Sequence, residues 1–410
     1  MVNRYDLSEI GLVAPQGMVV APSADPTDDP SVMNLYLADS GGDQNLGRII
    51  EISFVPQVEL PTALVVASLA NVIDTSKNAW NPSSPDPAGL AYRPSVNRLL
   101  VSDSEVEESH PDFQGYNVFQ TTVGGSLSNF CTTVGFSNEP TGAAVNPAND
   151  HIFFTDDNAN RVYEVDLVDG IYCNGNDVVT NINVLSLFGI DDAEGLAYGN
   201  NTVFIAGGVT TEVYRIGLGA NGVVGGGDDS LLGQFDTQAL GIRDPEGIEY
   251  SADSGTLFFS SAVLSDDFVI EASTTGALVN NYDLSVVGRQ PRSGLALAPA
   301  SDGSNEMHLY IASRGVDNGA DPNENDGKIY EIDLGGGFGI AYTSQHEPVP
   351  PAVMGAQLAT IIERECRVEG VAVPRVSIEP GRAIVGPSTF TLYEVGTVKV
   401  VDLDGGSQRW

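Results

Sequence analysis

Apolar and polar positions along this chain alternate in short runs, with almost no helical periodicity over the first 334 residues. Val162 to Leu167 (V-Y-E-V-D-L) is representative: apolar side chains recur every second position, the period of a β-strand with one face turned to a packed interior. Such runs come in sets. A motif of Pro or Asp, one further residue, then Gly and an apolar stretch recurs six times, as APQGMVVAP from Ala14, DPAGLAYRP from Asp86, EPTGAAVNP from Glu139, DAEGLAYGN within 192–200, DPEGIEYSA from Asp244 and QPRSGLALAP from Gln290. Its glycines are Gly17, Gly89, Gly142, Gly195, Gly247 and Gly294, separated by 72, 53, 53, 52 and 47 residues. Each copy is followed by a second apolar run (NLYLAD, NRLLVSD, DHIFFTDD, NTVFIAGG, GTLFFSSA, MHLYIASR), a third alternating run such as NRVYEVDL, and a weaker fourth. Four short strands per repeat with Gly, Asn and Asp turns predict the blade of a β-propeller. Six copies predict an all-β, six-bladed β-propeller over residues 1–334. The N-terminal VNRYDL is expected to supply the last blade's fourth strand and so close the ring.

After Leu334 the style changes. PPAVMGAQLATIIERECRVEG spaces Leu358, Ile361, Ile362 and Cys366 as a helix does, and strand-like TFTLYEVGTVKVVDL follows. Residues 335–410 therefore read as a separate α/β segment, a strand, glycine loop, helix and strand in the manner of a (βα)8 barrel. Charge divides at the same place. From Gly335 onward there are six basic and eight acidic residues, against 12 and 47 before it, so the net charges are −2 and −35. The acidic body repels phosphate and so argues against nucleic acid and anionic membrane surfaces. It suits calcium, cationic partners, a salty medium or plain solubility. No apolar run is long enough to span a membrane. MVNRYDLSEI has no apolar signal core, so a secretory signal is absent or lies upstream. Cys131, Cys173 and Cys366 form no C-x-x-C pair, which argues against zinc. Cys131 and Cys173 read first as buried free thiols, or as a disulfide if the protein is secreted.

Candidate chemistry concentrates at three places. The residue before each motif glycine is a candidate channel residue: Gln16, Ala88, Thr141, Glu194, Glu246 and Ser293. Glu194 and Glu246, from adjacent copies, can face one another at one mouth, where repulsion favours a bound cation or a raised pKa; acceptance of turn amides is the alternative. The loop DNGADPNENDG (residues 317–327) offers Asp321, Asn323, Asn325 and Asp326 as hard oxygen ligands for calcium, against an ordinary Asp/Asn-rich turn. GGGDD (Gly225 to Asp229) is a weaker case of the same kind. Asp39, Asp103 and Asp156, at the ends of second strands, are expected to close Asx turns. His110, His151, His308 and His346 lie in separate elements with no catalytic motif around them; His151 and His308 read as edge residues.

The repeats resemble the six-bladed propellers of the NHL-repeat, SdiA-regulated and gluconolactonase/regucalcin families, the third copy most closely an NHL repeat. The regucalcin resemblance implies Glu194 and Glu246 as metal ligands of a hydrolase or lactonase. The tail resembles diaminopimelate decarboxylase through D-L-G-G-G-F-G (Asp333 to Gly339), E-P-G-R (Glu379 to Arg382) and Y-E-V-G-T-V-K (Tyr393 to Lys399). That resemblance implies Gly335, Gly336, Gly337 and Gly339 against the phosphate of pyridoxal phosphate (PLP), Glu379 on its ring nitrogen and Arg382 on phosphate or substrate. In that family the Schiff-base lysine lies earlier in the barrel, where this chain carries repeats. Lys77, Lys328 and Lys399 sit in no matching context, so the motif is expected to be a remnant without decarboxylase activity. Asp333-Leu334 belongs to both the last repeat and the tail motif, which suggests a recombined or assembled join.

Three functions are expected to compete. The first is a secreted or surface binding module for a protein, glycan, small molecule or calcium. The second is a channel-metal hydrolase, and the third a lysine-pathway decarboxylase read from the tail, which resembles a cytoplasmic enzyme.

Overall fold

The computed structural model describes residues 12, 14–22, 33–40, 47–52, 65–106, 114–208, 210–263, 266–304, 306–315 and 325–334, with the backbone of 400–403 and 406–409. The chain divides into two compact units, Met1–Leu334 and Gly335–Trp410. Among the described residues the first is built almost wholly from antiparallel sheets; its only α-helix is Val184–Phe188, capped by the Asn183 side chain on the Ser186 N–H.

Five sheets carry the core. In chain order their innermost strands are Pro87–Arg93, Ala143–Val145, Ala193–Gly199, Pro245–Ser251 and Arg292–Pro299. Each begins a four-stranded antiparallel meander, for example Ala143–Val145, Ile152–Asp156, Arg161–Asp166 and Val178–Asn183. Both faces of the middle strands are covered, so even Glu164 on Arg161–Asp166 is 1% exposed between Tyr163 and Val165. The cover comes from the neighbouring sheets. One cluster joins Leu100 and Val118 of the first sheet to Ala143, Ile152 and Phe154 of the second. Another joins Phe153 and Val162 to Leu196 and Val203 of the third. Phe204 and Val213 then pack on Ile248 and Phe259 of the fourth, and Phe258 and Val269 on Leu309 and Ile311 of the fifth. The last cluster returns to the start, with Ala296, Tyr310 and Ile329 against Leu90, Leu99 and Phe119. Each buried valine, leucine, isoleucine or phenylalanine among them contributes about 1.5–3 kcal/mol.

The motif glycines explain why the ring closes tightly. A Cβ on Gly89 would stand 2.8 Å from the Ala143 nitrogen, and one on Gly142 2.5 Å from the Glu194 oxygen. Gly195 abuts Glu246, Gly247 abuts Ser293, and Gly294 abuts Ala88 and Gly89 of the first inner strand, 2.6 Å from the Ala88 oxygen. Backbone meets backbone at every step, which only glycine permits. The Ser293 hydroxyl completes the circuit by donating to the Pro87 carbonyl at 2.7 Å.

Among the described residues the ring holds five sheets, where six were expected. The first copy forms a separate three-stranded sheet, Pro15–Pro22, Met33–Asp39 and Arg48–Ile52. Gly17 has open space where its counterparts meet a neighbour, and Met18 and Ile49 stay 74% and 75% exposed. The closing strand also differs from expectation. Ser68–Asp74 pairs antiparallel with Lys328–Asp333, from Lys328 opposite Asp74 to Asp333 opposite Ser68. It fills the fourth place that VNRYDL was expected to take, and VNRYDL lies outside the described residues. A short strand, Val65–Val66, extends the fourth sheet in parallel beside Leu278–Asp283.

Two further features tie sheets together. Cys131, ending a strand of the first sheet, forms a disulfide with Cys173 in the loop before Val178–Asn183, Cα to Cα 5.9 Å. This replaces the free-thiol reading: the 167–177 loop folds back over the preceding sheet and brings the two sulfurs together. Arg93, 2% exposed, reaches from the first sheet to Asp150 Oδ1 and Oδ2 of the second at 3.2 and 2.5 Å, and donates to Gln120. In the tail, the described backbone is a hairpin of Val400–Leu403 with Gly406–Arg409.

Candidate functional site

At the motif the inner strands of the third and fourth sheets are bulged, between Ala193 and Leu196 and between Pro245 and Gly247. A bulge re-aims the residue it contains. Here those residues are Glu194 and Glu246, and both come to one end of the ring axis beside Arg314, which follows Met307–Ser313 of the fifth sheet. Arg314 donates to Glu246 Oε1 and Oε2 at 3.4 and 3.3 Å, and stands 4.0 Å from Glu194 Oε2. Burial raises the Glu246 pKa, while Arg314 and a hydrogen bond from Glu194 pull it down. Burial, then the charge of Glu246, pushes Glu194 up to about 10. Burial works against the Arg314 charge, but Glu246 and Glu194 outweigh it and raise its pKa.

Beside this trio lies an acidic pocket. Oxygens of Asp157, Asp192 and Glu194 come within 4.8 Å of one another. Asp157 is held by the Thr141 hydroxyl at 3.2 Å and by the Asn158 N–H. Asp192 adopts a left-handed backbone, φ 58°, with its N–H donating to the Asn160 side chain at 2.8 Å. Asp244 faces the same space, its pKa raised by burial and then by Asp192.

The repeat explains the convergence. Thr141, Glu194 and Glu246 share the position before the motif glycine, and Asp86, Glu139, Asp192 and Asp244 share the position two before that. Asp157, Gly208 and Arg314 share a third position, the residue after each second strand. One end of the ring is therefore lined by symmetry-related positions at which seven acidic residues stand against one arginine. Such a mouth focuses a negative potential on whatever enters it.

Among the residues singled out from sequence, Ser293 and Ala88 serve the ring contacts described above, and Thr141 supports Asp157. Gln16 borders an open recess of about 310 Å³ in the separate sheet, with Asp39, Arg48 and Ile49. Asp321 and Asn323 lie outside the described residues. Asn325 Oδ1 accepts the Lys77 N–H at 2.8 Å, so that oxygen caps a turn, and Asp326 adjoins it. The Gly225–Asp229 carboxylates also close turns: Asp228 accepts the Ala220 N–H and Asp229 the Gly225 N–H. Asp103 and Asp156 act as turn-closing groups, taking the Val106 and Ala159 N–H groups and the hydroxyls of Ser84 and Ser137. Asp39 accepts the Ala14 N–H. His151 and His308 bond Glu164 and Glu331 at 2.5 and 2.7 Å, at the far end of their strands from the mouth. His110, His346, Gly335, Gly336, Gly337, Gly339, Glu379 and Arg382 lie outside the described residues. Sequence reasoning missed Arg314, Asp157, Asp192 and Asp244. The repeat alignment held the signal, since each occupies a position shared with other copies.

Residues 312–386 match the pyridoxal-binding domain of pyridoxal-dependent decarboxylases (Orn_Arg_deC_N). The chain is 48% identical over 86 residues to diaminopimelate decarboxylase of Mycobacterium bovis, covering 21% of this chain and 19% of that one. It is 43% identical over 82 residues to the Staphylococcus aureus enzyme, covering 18% and 20%. The chain carries a decarboxylase-like segment and spans about a fifth of the length of these relatives. Among solved structures, Myxococcus xanthus glutaminyl cyclase matches with TM-score 0.41 and 14% identity over 66% of this chain and 98% of that one. A luciferin-regenerating enzyme matches with TM-score 0.38 and 13% identity over 64% and 95%.

Proposed function

We propose that residues 68–334 form a five-bladed β-propeller that works as a binding module, taking a positively charged ligand at the acidic mouth of its axis. The observation that carries this reading is the mouth itself, where Asp157, Asp192 and Glu194 cluster, Asp244 and Glu246 adjoin them, and Arg314 is held on Glu246. Extracytoplasmic or surface placement is supported by the Cys131–Cys173 disulfide, because reducing compartments keep thiols unpaired. The hydrolase alternative needs Glu194 and Glu246 free to ligate a metal together, yet Glu246 is engaged by Arg314 on both oxygens. The decarboxylase-like segment is read as a remnant, supported by its small share of the relatives' length.

The test uses purified full chain on an array of basic, neutral and acidic peptides and glycans in chelator. Selective, salt-sensitive capture of basic ligands is the expected result. Turnover of lactones or phosphoesters that disappears in Glu246→Gln would overturn it in favour of the hydrolase.

A further inference from the structure

Arg314 fits its place in the mouth poorly for an ion pair drawn out of water. Its fork lies across both Glu246 oxygens, the planar, side-by-side pairing that a guanidinium makes with a carboxylate. Yet the contacts are 3.4 and 3.3 Å, where a strong charge-assisted pair closes to about 2.7–2.9 Å. The neighbouring Glu194 Oε2 stays 4.0 Å away. Each side of that gap keeps an unsatisfied polar atom. Glu194 is 8% exposed and its Oε2 is buried with no hydrogen-bond partner, while Arg314 Nε is buried without an acceptor. Buried polar groups are seldom left this way, because each gives up water without regaining a partner. The cause is the tether. Arg314 reaches in from the fifth sheet, Glu246 from the fourth and Glu194 from the third. A side chain anchored at one end of this row does not close on both carboxyl groups.

We propose that Arg314 is a tethered place-holder, and that the mouth's ligand is a free guanidinium group that displaces it and closes on Glu246 and Glu194 together. This deepens the cationic-ligand reading of the mouth and rests on it. An untethered guanidinium brings five N–H donors in one plane, two for Glu246 and another for the Glu194 oxygen that lacks one. An ammonium is a point charge without that fork. The ligand also suits the protonation of the pair. Burial raises the pKa of both glutamates, and a protonated carboxyl still accepts an N–H at its carbonyl oxygen. The displaced side chain has somewhere to go, since Asp86 and Glu105 of the first sheet also act on the Arg314 charge.

The experiment titrates the full chain, in chelator, with one labelled peptide made in three forms that carry arginine, lysine or citrulline at its centre. Arginine is expected to bind about tenfold or more tighter than lysine at equal charge, and neutral citrulline not measurably. Equal affinity for arginine and lysine overturns the proposal and leaves the cationic mouth standing; binding of neither overturns both. Arg314→Gln keeps the volume but removes the competing fork, and is expected to bind the arginine peptide about tenfold tighter than the wild type. Unchanged or weaker affinity overturns the proposal. Methylguanidinium chloride is expected to raise the melting temperature of Arg314→Gln, and methylammonium chloride at the same concentration to leave it in place. Equal effects of the two salts count against a guanidinium site. N-acetylarginine amide separates the two sources within the proposal. Affinity equal to the peptide's identifies a small guanidino compound, and a peptide tighter by about tenfold identifies an arginine presented by a protein.

Discussion

Replacing Gly294 and Gly17, each by alanine, puts the closure of the ring to a direct test. Both glycines occupy the same place in the repeated motif, yet their surroundings differ. At Gly294 a methyl group would stand 2.6 Å from the Ala88 carbonyl oxygen and 2.7 Å from the Gly89 carbonyl carbon, inside contact distance of backbone that cannot rotate aside. Overpacking a core with one methyl costs about 1–3 kcal/mol, and rigid backbone on both sides argues for the upper end. Alanine returns about 0.4–1 kcal/mol by restricting the unfolded chain. The net loss is about 2 kcal/mol, which for a domain of this size lowers Tm by about 4–8 °C. At Gly17 nothing lies within 4 Å, so the unfolded-state effect stands alone and Gly17→Ala is expected to be neutral or slightly stabilising. Thermal unfolding followed by circular dichroism, with chemical denaturation as a check, reads the difference. Equal destabilisation by the two variants would show that the first sheet belongs in the ring, and the five-sheet closure would be wrong.

Reduction of Cys131–Cys173, or Cys131→Ser, is expected to cost about 4 kcal/mol from the 42-residue separation of the bridged positions, read as a lower melting temperature in reductant. Arg93→Ala strips the bidentate partner from Asp150 between two sheets and is expected to cost about 3 kcal/mol in denaturant titrations. Burial pushes Asp103 up to about 7, against the hydrogen bonds from Ser84, Asp86, Glu105 and Val106. The folded protein therefore holds a proton that the unfolded chain has released. That contribution, up to about 4 kcal/mol, is complete below about pH 4 and is lost as pH rises through about 7. Asp103→Asn is expected to flatten the stability profile across that window, and an unchanged slope would count against the assignment. Adding PLP and diaminopimelate to the full chain is expected to release no carbon dioxide, measured by isotope trapping.

Much of the fold was written in local pattern. The glycine motif marks each inner strand because backbone approaches backbone there, and the alternating runs mark the strands that follow. Pattern of this kind identifies a strand but not the sheet it joins, so the first copy reads like the others although its glycine faces open space. The spacing held a hint: 72 residues separate Gly17 from Gly89, where the later gaps are close to 50. Part of the added length is Ser68–Asp74, which pairs with the last strand of the ring. Glu194 and Glu246 stood out as charges beside a glycine. Arg314 did not, because an arginine after a strand is unremarkable until the ring sets its sheet beside the one that carries Glu246. The disulfide was illegible for a related reason, since a loop's path over a neighbouring sheet leaves no periodic trace. The tail's motifs were legible because each is contiguous.

The closing strand has a consequence for how the protein is made. Ser68–Asp74 leaves the ribosome before any inner strand of the ring, yet its partner Lys328–Asp333 comes last. About 250 residues of synthesis separate them, some 10–50 s at ordinary elongation rates. Through that interval each growing chain carries an open strand edge that recruits any extended segment within reach, including the same edge of a neighbour on the polysome. Slower elongation is then expected to lower the fraction of chains that reach the closed ring.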